Sequence, residues 1–298
     1  MATGHMLVVG CGYLGARVAR HWHADGNTVW VLTRSAERAN EMEREGWRPL
    51  IGDITEPDTL PEFPPCRNVL FAVGYDRRRY TDIRTVYVQG LKQLVPRLSP
   101  GTERFLYISS TGVYGQGAGE WVDEESPTAP DRPGGQACLE AEQWLASSPV
   151  APSTIILRLA GLYGPGRLPR LEELRAGPIA ACENGWVNLI HIEDAARVVC
   201  AAARHVVPPQ RLVVSDGHPV HRGDYLRYLA GLYQIPPPTF RAVAEGESAG
   251  RRGTAEGKRI RSRYLADRCP ITLQYPSYRE GLAQATSGGS VEARTNRP

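Results

Sequence analysis

The chain has 298 residues, 42% of them hydrophobic and 22% charged, a mixture ordinary for a globular protein in water. Its net charge of +3 is spread over interspersed acidic and basic residues, which excludes the clustered basic face of a nucleic-acid binder, and no apolar run approaches the roughly 18 residues of a membrane span. Of 35 basic side chains only Lys92 and Lys258 are lysine, so lysine chemistry has two possible positions; arginine stays protonated and cannot relay a proton.

The length suits one large α/β domain or a core domain with a smaller lobe. Cys11, Cys66, Cys138, Cys182, Cys200 and Cys269 show no CxxC and no regular spacing. With no secretory apolar segment ahead of them, they read as reduced thiols of a cytoplasmic protein, not as disulfides or a zinc site. The first five residues read as a leader before a strand that begins near Met6.

Met6–Val9 is a short apolar run, followed by Gly10-Cys11-Gly12-Tyr13-Leu14-Gly15 and a helical pattern from Ala16 to His23. Thr28–Leu32 is a second, β-branched run. A charged helix is expected from Ala36 to Glu45, a third strand over Arg48–Ile51 before Gly52-Asp53, and a fourth over Asn68–Val73. The basic run Arg77–Arg79 follows that strand. Such runs are usually solvated loops, but this position could also meet an anionic ligand. Thr81–Leu98 reads as one long helix stopped by Pro100; Phe105–Ser109 and Thr154–Leu159 are the fifth and sixth strands. Strands alternating with helices imply βαβ units and a doubly wound parallel sheet of the Rossmann kind.

Beyond Gly164 the texture changes, with Pro165, Pro169, Pro178 and several glycines up to Gly185. A helix at Asp194–His205, a strand at Arg211–Val214 and a helix at Gly223–Tyr233 follow. We expect a single two-lobed unit over residues 6–283. Its Rossmann core comprises mainly 6–165 and 186–215, its small C-terminal substrate lobe 166–185 and 216–283, and 284–298 form a flexible tail rich in Ser, Gly and Thr.

The glycine pattern is informative through its context, after a strand and opening a helix. Glycines permit the tight turn and a close approach of backbone to a pyrophosphate, and the helix N-terminus offers free N–H groups. The end of the second strand chooses between cofactors. An NAD site would place Asp or Glu there for the ribose 2′-hydroxyl, whereas this chain has Thr33-Arg34-Ser35 with Arg38 one turn further. Guanidinium and hydroxyl groups suit a 2′-phosphate. NADP is therefore expected ahead of NAD, the alternative being that Arg34 is an ordinary surface residue.

Taken together, these segments resemble the short-chain dehydrogenase/reductase superfamily in its extended, epimerase/dehydratase-like branch. Gly52-Asp53-Ile54 resembles the segment whose Asp meets the adenine ring, and Phe71-Ala72-Val73-Gly74 the strand end beside the cofactor ribose. Leu106 to Gly115, with Ser109 and Ser110, is similar to the fifth-strand signature. Leu157 to Gly166, with Ala160 and Leu162, is similar to the sixth, and Asn188 to Asp194 to the segment that caps the next core helix. The resemblance implies a dinucleotide held by Gly10, Gly12, Tyr13, Leu14, Gly15, Thr33, Arg34, Ser35, Arg38, Asp53, Ile54, Ala72, Val73, Gly74, Ser109, Ala160 and Leu162. It also implies a small-molecule substrate such as a sugar nucleotide or similar polar, anionic metabolite, whose phosphates Arg77–Arg79 or Arg167 and Arg170 could meet. A homodimer through the fourth and fifth helices is a further implication.

The family's reaction centre joins Ser or Thr to a Tyr-x-x-x-Lys pair, the lysine lowering the tyrosine's pKa from near 10. The serine position is filled by Ser110. The pair is missing. Aligning Glu142 with the family's helical glutamate places Gly134 where the tyrosine stands and Cys138 where the lysine stands, and neither Lys92 nor Lys258 has a tyrosine four residues before it. Tyr87, Tyr75 and Tyr80 are substitute phenols, although an aromatic facing a sheet is usually core. His191 could titrate but reads as a helix cap, and Ser110 could simply bond neighbouring backbone. Two functions stay open: an NADP-dependent oxidoreductase or epimerase with a non-standard active site, and a catalytically silent NADP-binding sensor or partner-binding protein.

Overall fold

The computed structural model describes residues 4–76, 78–80, 82–241 and 256–287. Arg77, Thr81 and the expected tail beyond Ser287 lie outside the described residues.

Short apolar runs build a seven-stranded parallel sheet. Its strands are β1 (His5–Val9), β2 (Thr28–Thr33), β3 (Arg48–Ile51), β4 (Asn68–Phe71), β5 (Arg104–Ser110), β6 (Thr154–Leu159) and β7 (Gln210–Val214). They lie in the spatial order β7-β6-β5-β4-β1-β2-β3. The order reverses between β1 and β4, the switch point where open α/β sheets bind ligands beyond the strands' C-terminal ends. The inner strands read as continuous apolar stretches because both faces are covered: Asn68–Phe71 and Thr154–Leu159 are buried throughout.

The helices are α1 (Gly15–Ala24), α2 (Ala36–Arg44), α3 (Gly90–Leu94), α4 (Pro133–Leu145), α5 (Leu171–Ala176), α6 (Ile192–His205), α7 (Arg222–Tyr233), α8 (Leu265–Arg268) and α9 (Tyr278–Ser287). On one face of the sheet α1 and α6 bury Val18, Trp22, Ala195 and Val199 against Val8, Leu106 and Leu157. On the other, α3 and α4 bury Leu91, Leu94 and Leu145 against Phe71, Phe105 and Tyr107. A third cluster joins Leu174 of α5, Tyr225, Leu226 and Leu229 of α7, and Tyr278 and Leu282 of α9 to Tyr163 and Leu189.

Two elements differ from expectation. The segment read as one helix over Thr81–Leu98 is a π-helical turn, Thr85–Gln89, then α3, then a 3₁₀ turn, Val95–Arg97. Pro96 explains the change after α3: it lacks an N–H and its ring clashes with the carbonyl of Lys92, so α geometry cannot continue. Residues 284–287, expected to belong to a flexible tail, are instead the last turn of α9. One pairing left no clear sequence signal, Ala118–Val122 beside Gly257–Ile260 in parallel. Asn188 anchors the second of these strands, donating to the Lys258 carbonyl at 2.8 Å and accepting from the Ile260 N–H at 2.7 Å.

Candidate functional site

The loop between β1 and α1 lies at the switch point, and its three glycines meet three different constraints. Gly10 has φ 97°, and a Cβ there would stand 2.5 Å from the Ala72 and Val73 backbone. A Cβ at Gly15 would collide with the Gly10 carbonyl. Gly12 has nothing within 4 Å of its Cβ direction, so its missing side chain leaves open space above the helix N-terminus, the place a pyrophosphate needs. The loop opens onto a cavity of about 250 Å³ lined by Gly10, Gly12, Thr33, Arg34, Arg38, Asp53, Ile54, Ala72, Val73 and Gly74. These ten are among the residues expected to hold a dinucleotide, so the donor set and the cradle fit that group. Cys11, Met42, Tyr80 and Val86 line it as well.

Arginine dominates the far end of the cavity. Arg38 reaches back to the Cys11 carbonyl at 2.9 Å. Arg34 donates to the Tyr80 hydroxyl at 2.5 Å, and Tyr80 in turn donates to Asp53 at 2.9 Å. Arg79 bonds the same Asp53 oxygen at 3.1 Å and lies 3.4 Å from Glu56. Burial alone would raise the Asp53 pKa. Hydrogen bonds from Thr55 and Tyr80 and the nearby Arg34 charge outweigh it and hold the carboxyl below its usual range. The Tyr75 hydroxyl donates to the Tyr80 carbonyl at 2.7 Å and fixes the loop that delivers Arg79 and Tyr80.

Other expected cofactor residues lie outside the cavity's lining. The Ser35 hydroxyl caps α2 by accepting from the Arg38 N–H at 3.3 Å. Leu14 and Ala160 are buried in the core, and Leu162 packs against it half-buried. Tyr13 lies between Arg17 and Arg167, whose guanidinium carbons are 4.5 and 5.7 Å from its ring centre. Its hydroxyl donates to the Pro165 carbonyl at 3.1 Å, tying the turn at Gly164–Arg167 to the glycine loop. Burial pushes that phenol up to about 12 against the pull of both arginines.

Successive residues at the end of β5 point to opposite sides. Ser109 is turned away from the cleft and donates to Glu142 at 2.6 Å. Glu142 also takes two bonds from Arg158, at 3.0 and 2.6 Å, and Arg158 donates to the Tyr114 hydroxyl at 2.9 Å. This ion pair is almost fully buried. Ser110 accepts from the Gly112 N–H at 3.0 Å. Gly135 of α4 packs so closely on Gly112 that a Cβ would strike its carbonyl, which brings the first turn of α4 beside Ser110.

Gly134, in the tyrosine's place, faces Ile83, whose Cδ1 is 3.7 Å from the Cβ direction. Cys138, in the lysine's place, is buried against the Tyr107 and Ser109 hydroxyls, and burial pushes its thiol up to about 12. Tyr107 is itself buried and its phenol is driven well above its usual value. Tyr87 rides on the π-helical turn, half-buried, close enough to Tyr107 to raise that phenol further. It therefore stands near the position the lysine would hold. His191 caps α6: its Nδ1 accepts from the Glu193 N–H at 3.3 Å, and burial holds the ring down at about 4.

Three comparisons agree with this geometry. Residues 6–215 match the model of the NAD dependent epimerase/dehydratase family. The protein YeeZ of Escherichia coli K12 is 28% identical over 282 residues, spanning 91% of this chain and 96% of YeeZ. A 4-hydroxy-2-methyl-3-oxo-4-farnesyl-3,4-dihydroquinoline-1-oxide ketoreductase from Stigmatella aurantiaca is 26% identical over 264 residues, spanning 81% of this chain and 79% of the enzyme. Among solved structures, one from Methylobacillus flagellatus, described as an NAD-dependent epimerase/dehydratase, has a TM-score of 0.73 at 31% identity, covering 96% of this chain and 98% of that one. With the glycine cradle, the switch-point cavity and the strand-end signatures all in place, the chain belongs to the NAD-dependent epimerase/dehydratase family, the extended branch of the short-chain dehydrogenases/reductases.

Proposed function

We propose that the protein is an NADP-dependent oxidoreductase or epimerase that acts on a polar metabolite through a non-standard active site. One observation carries the cofactor choice: Arg34, Arg38 and Arg79 gather at the end of the cavity where the adenosine ribose would lie. Arg34 and Arg79 face Asp53 and Glu56, while Arg38 donates to the Cys11 carbonyl, and together the three leave excess positive charge for a 2′-phosphate. At the end of β2 no carboxylate is offered to a free 2′-hydroxyl. Bound there, NADPH would supply the hydride.

The chain's own residues would position substrate and move a proton. Ser110 is the hydroxyl beside α4, and Tyr87 is a half-buried phenol packed against the cluster that holds Cys138, in the lysine's place. A phenol without a lysine to lower its pKa is a weaker acid–base group, so slow turnover is expected. The likeness to a ketoreductase supports a carbonyl substrate. Gly134 and Cys138 favour the second reading, a silent NADP-binding sensor.

NADPH oxidation across a panel of small ketones and aldehydes distinguishes the two. The enzyme reading expects turnover that falls by about 10²-fold or more in Tyr87→Phe or Ser110→Ala, with NADPH affinity retained. Tight NADPH binding with no turnover on any carbonyl would favour the sensor.

A further inference from the structure

Tyr80 lines the cavity and touches three of the charged groups at its far end. Its hydroxyl accepts from Arg34 Nη1 at 2.5 Å and donates to Asp53 Oδ2 at 2.9 Å. The guanidinium carbons of Arg34 and Arg79 each lie 5.6 Å from the centre of its ring. The electron-rich face of a phenol attracts both cations, which offsets their mutual repulsion.

The turn that carries Tyr80 fixes where its side chain goes. The Asp76 carbonyl accepts from the Arg79 and Tyr80 N–H groups at 3.2 and 3.0 Å, and the Tyr80 carbonyl accepts from the Tyr75 hydroxyl at 2.7 Å. Both backbone polar groups of Tyr80 are thus held. Its phenol then reaches Asp53 across 27 residues and Arg34 across 46, so these contacts are made by the fold and not by a local turn.

The distances show what the phenol prevents. Arg34 Nη1 is 3.8 Å from Asp53 Oδ2, a loose ion pair, and the Arg34 side chain stays 42% exposed although that of Asp53 is 6% exposed. Attraction between a guanidinium and a carboxylate rises as they approach, and water screens it little at a buried carboxylate. The direct pairing that such groups favour would draw Arg34 inward and neutralise it. Asp53 Oδ2 is instead satisfied by the phenol and by Arg79 at 3.1 Å, and Oδ1 by the Thr55 N–H and hydroxyl at 2.9 and 2.7 Å. A neutral hydroxyl takes the place on Asp53 that Arg34 would otherwise fill, and Arg34 stays in the cavity wall.

We propose that Tyr80 is a positioning residue for cofactor choice: its hydroxyl keeps Arg34 from closing on Asp53 and so leaves the guanidinium to a 2′-phosphate. The assignment rests on the reading above of Arg34 as the partner of that phosphate. It adds a residue from the loop after β4 that governs the preference through Arg34 and not by a contact of its own with the cofactor.

The test is fluorescence titration of the full chain with NADPH and with NADH, at one fixed salt concentration, for wild type, Tyr80→Phe and the double variant Tyr80→Phe/Asp53→Asn. The readout is the ratio of the two dissociation constants. Tyr80→Phe keeps the ring and lets Arg34 close on Asp53. The preference for NADPH should then fall by about tenfold, the worth of one charge-assisted hydrogen bond, with NADH affinity unchanged. Adding Asp53→Asn removes the charge that captures Arg34 and should restore the preference, whatever it does to an adenine contact common to both cofactors. A Tyr80→Phe ratio equal to that of wild type overturns the assignment. So does equal weakening of both cofactors, the mark of a loop that has merely loosened, and so does a preference that Asp53→Asn fails to restore. Arg34→Ala separates this failure from failure of the cofactor reading: if it loses the preference while Tyr80→Phe keeps it, Arg34 meets the phosphate without help from Tyr80. A wild type that binds NADPH and NADH equally removes both.

Discussion

Gly10 and Gly12 stand two residues apart in one loop, but different physics makes each a glycine. Gly10 is fixed by a positive φ and by the Ala72 and Val73 backbone, Gly12 by nothing in the protein itself. Gly10→Ala should therefore destabilise the fold by more than about 2 kcal/mol. Gly12→Ala should unfold at the wild-type urea midpoint and weaken only dinucleotide binding. Equal stabilities for the two variants would contradict this account. Asp216 offers a second test at this scale. It is 7% exposed with Oδ2 unpaired, its Oδ1 accepts from the His218 N–H at 2.9 Å, and burial raises its pKa from 3.8 to about 7. A carboxyl with a raised folded-state pKa binds more protons when folded than when unfolded. Its contribution to stability is thus fully present below pH 3.8 and is lost as pH rises to about 7. Asp216→Asn, which keeps the acceptor and removes the titration, should gain melting temperature over wild type more at pH 8 than at pH 4; a pH-independent difference would refute the assignment.

Among the elements, α4 carries most of the departure from the family's chemistry. Its Gly134 and Gly135 let the helix press against Gly112, while Cys138 and Glu142 turn inward beneath β5 and β6. The Glu142–Arg158 pair is buried, bidentate and extended by Ser109 and Tyr114. Removing one partner leaves an uncompensated charge, so Arg158→Met is expected to cost about 3–5 kcal/mol in urea unfolding, and the double variant Arg158→Met/Glu142→Leu less than the sum of the singles. Additive losses would show that the pair is not coupled. The strands and glycine loop were legible in the sequence because their constraints are local, as short apolar runs and a φ that only glycine accepts. The absence of Tyr-x-x-x-Lys was legible for the same reason. The broken helix around Gly90 was not: Pro96 lay inside the segment expected as one helix to Leu98, and the π-helical turn beneath Tyr87 had no sequence signal.

At the scale of the whole molecule, long-range convergence defines the arginine-lined end of the site. Asp53 meets Arg79 and Tyr80 across more than twenty residues. That grouping has no spacing that a sequence could display, whereas Arg34 and Arg38 announced themselves at the end of β2. The cofactor assignment joins the two kinds of information. It holds that a family fold described by NAD dependence has here been given an arginine-lined end suited to a 2′-phosphate. The most direct test is the ratio of NADPH to NADH dissociation constants for wild type and Arg34→Ala, measured by fluorescence titration at one fixed salt concentration. The account predicts that wild type binds NADPH at least about tenfold more tightly, and that Arg34→Ala loses most of that preference while still binding NADH. Equal affinities for the two cofactors in wild type would contradict it.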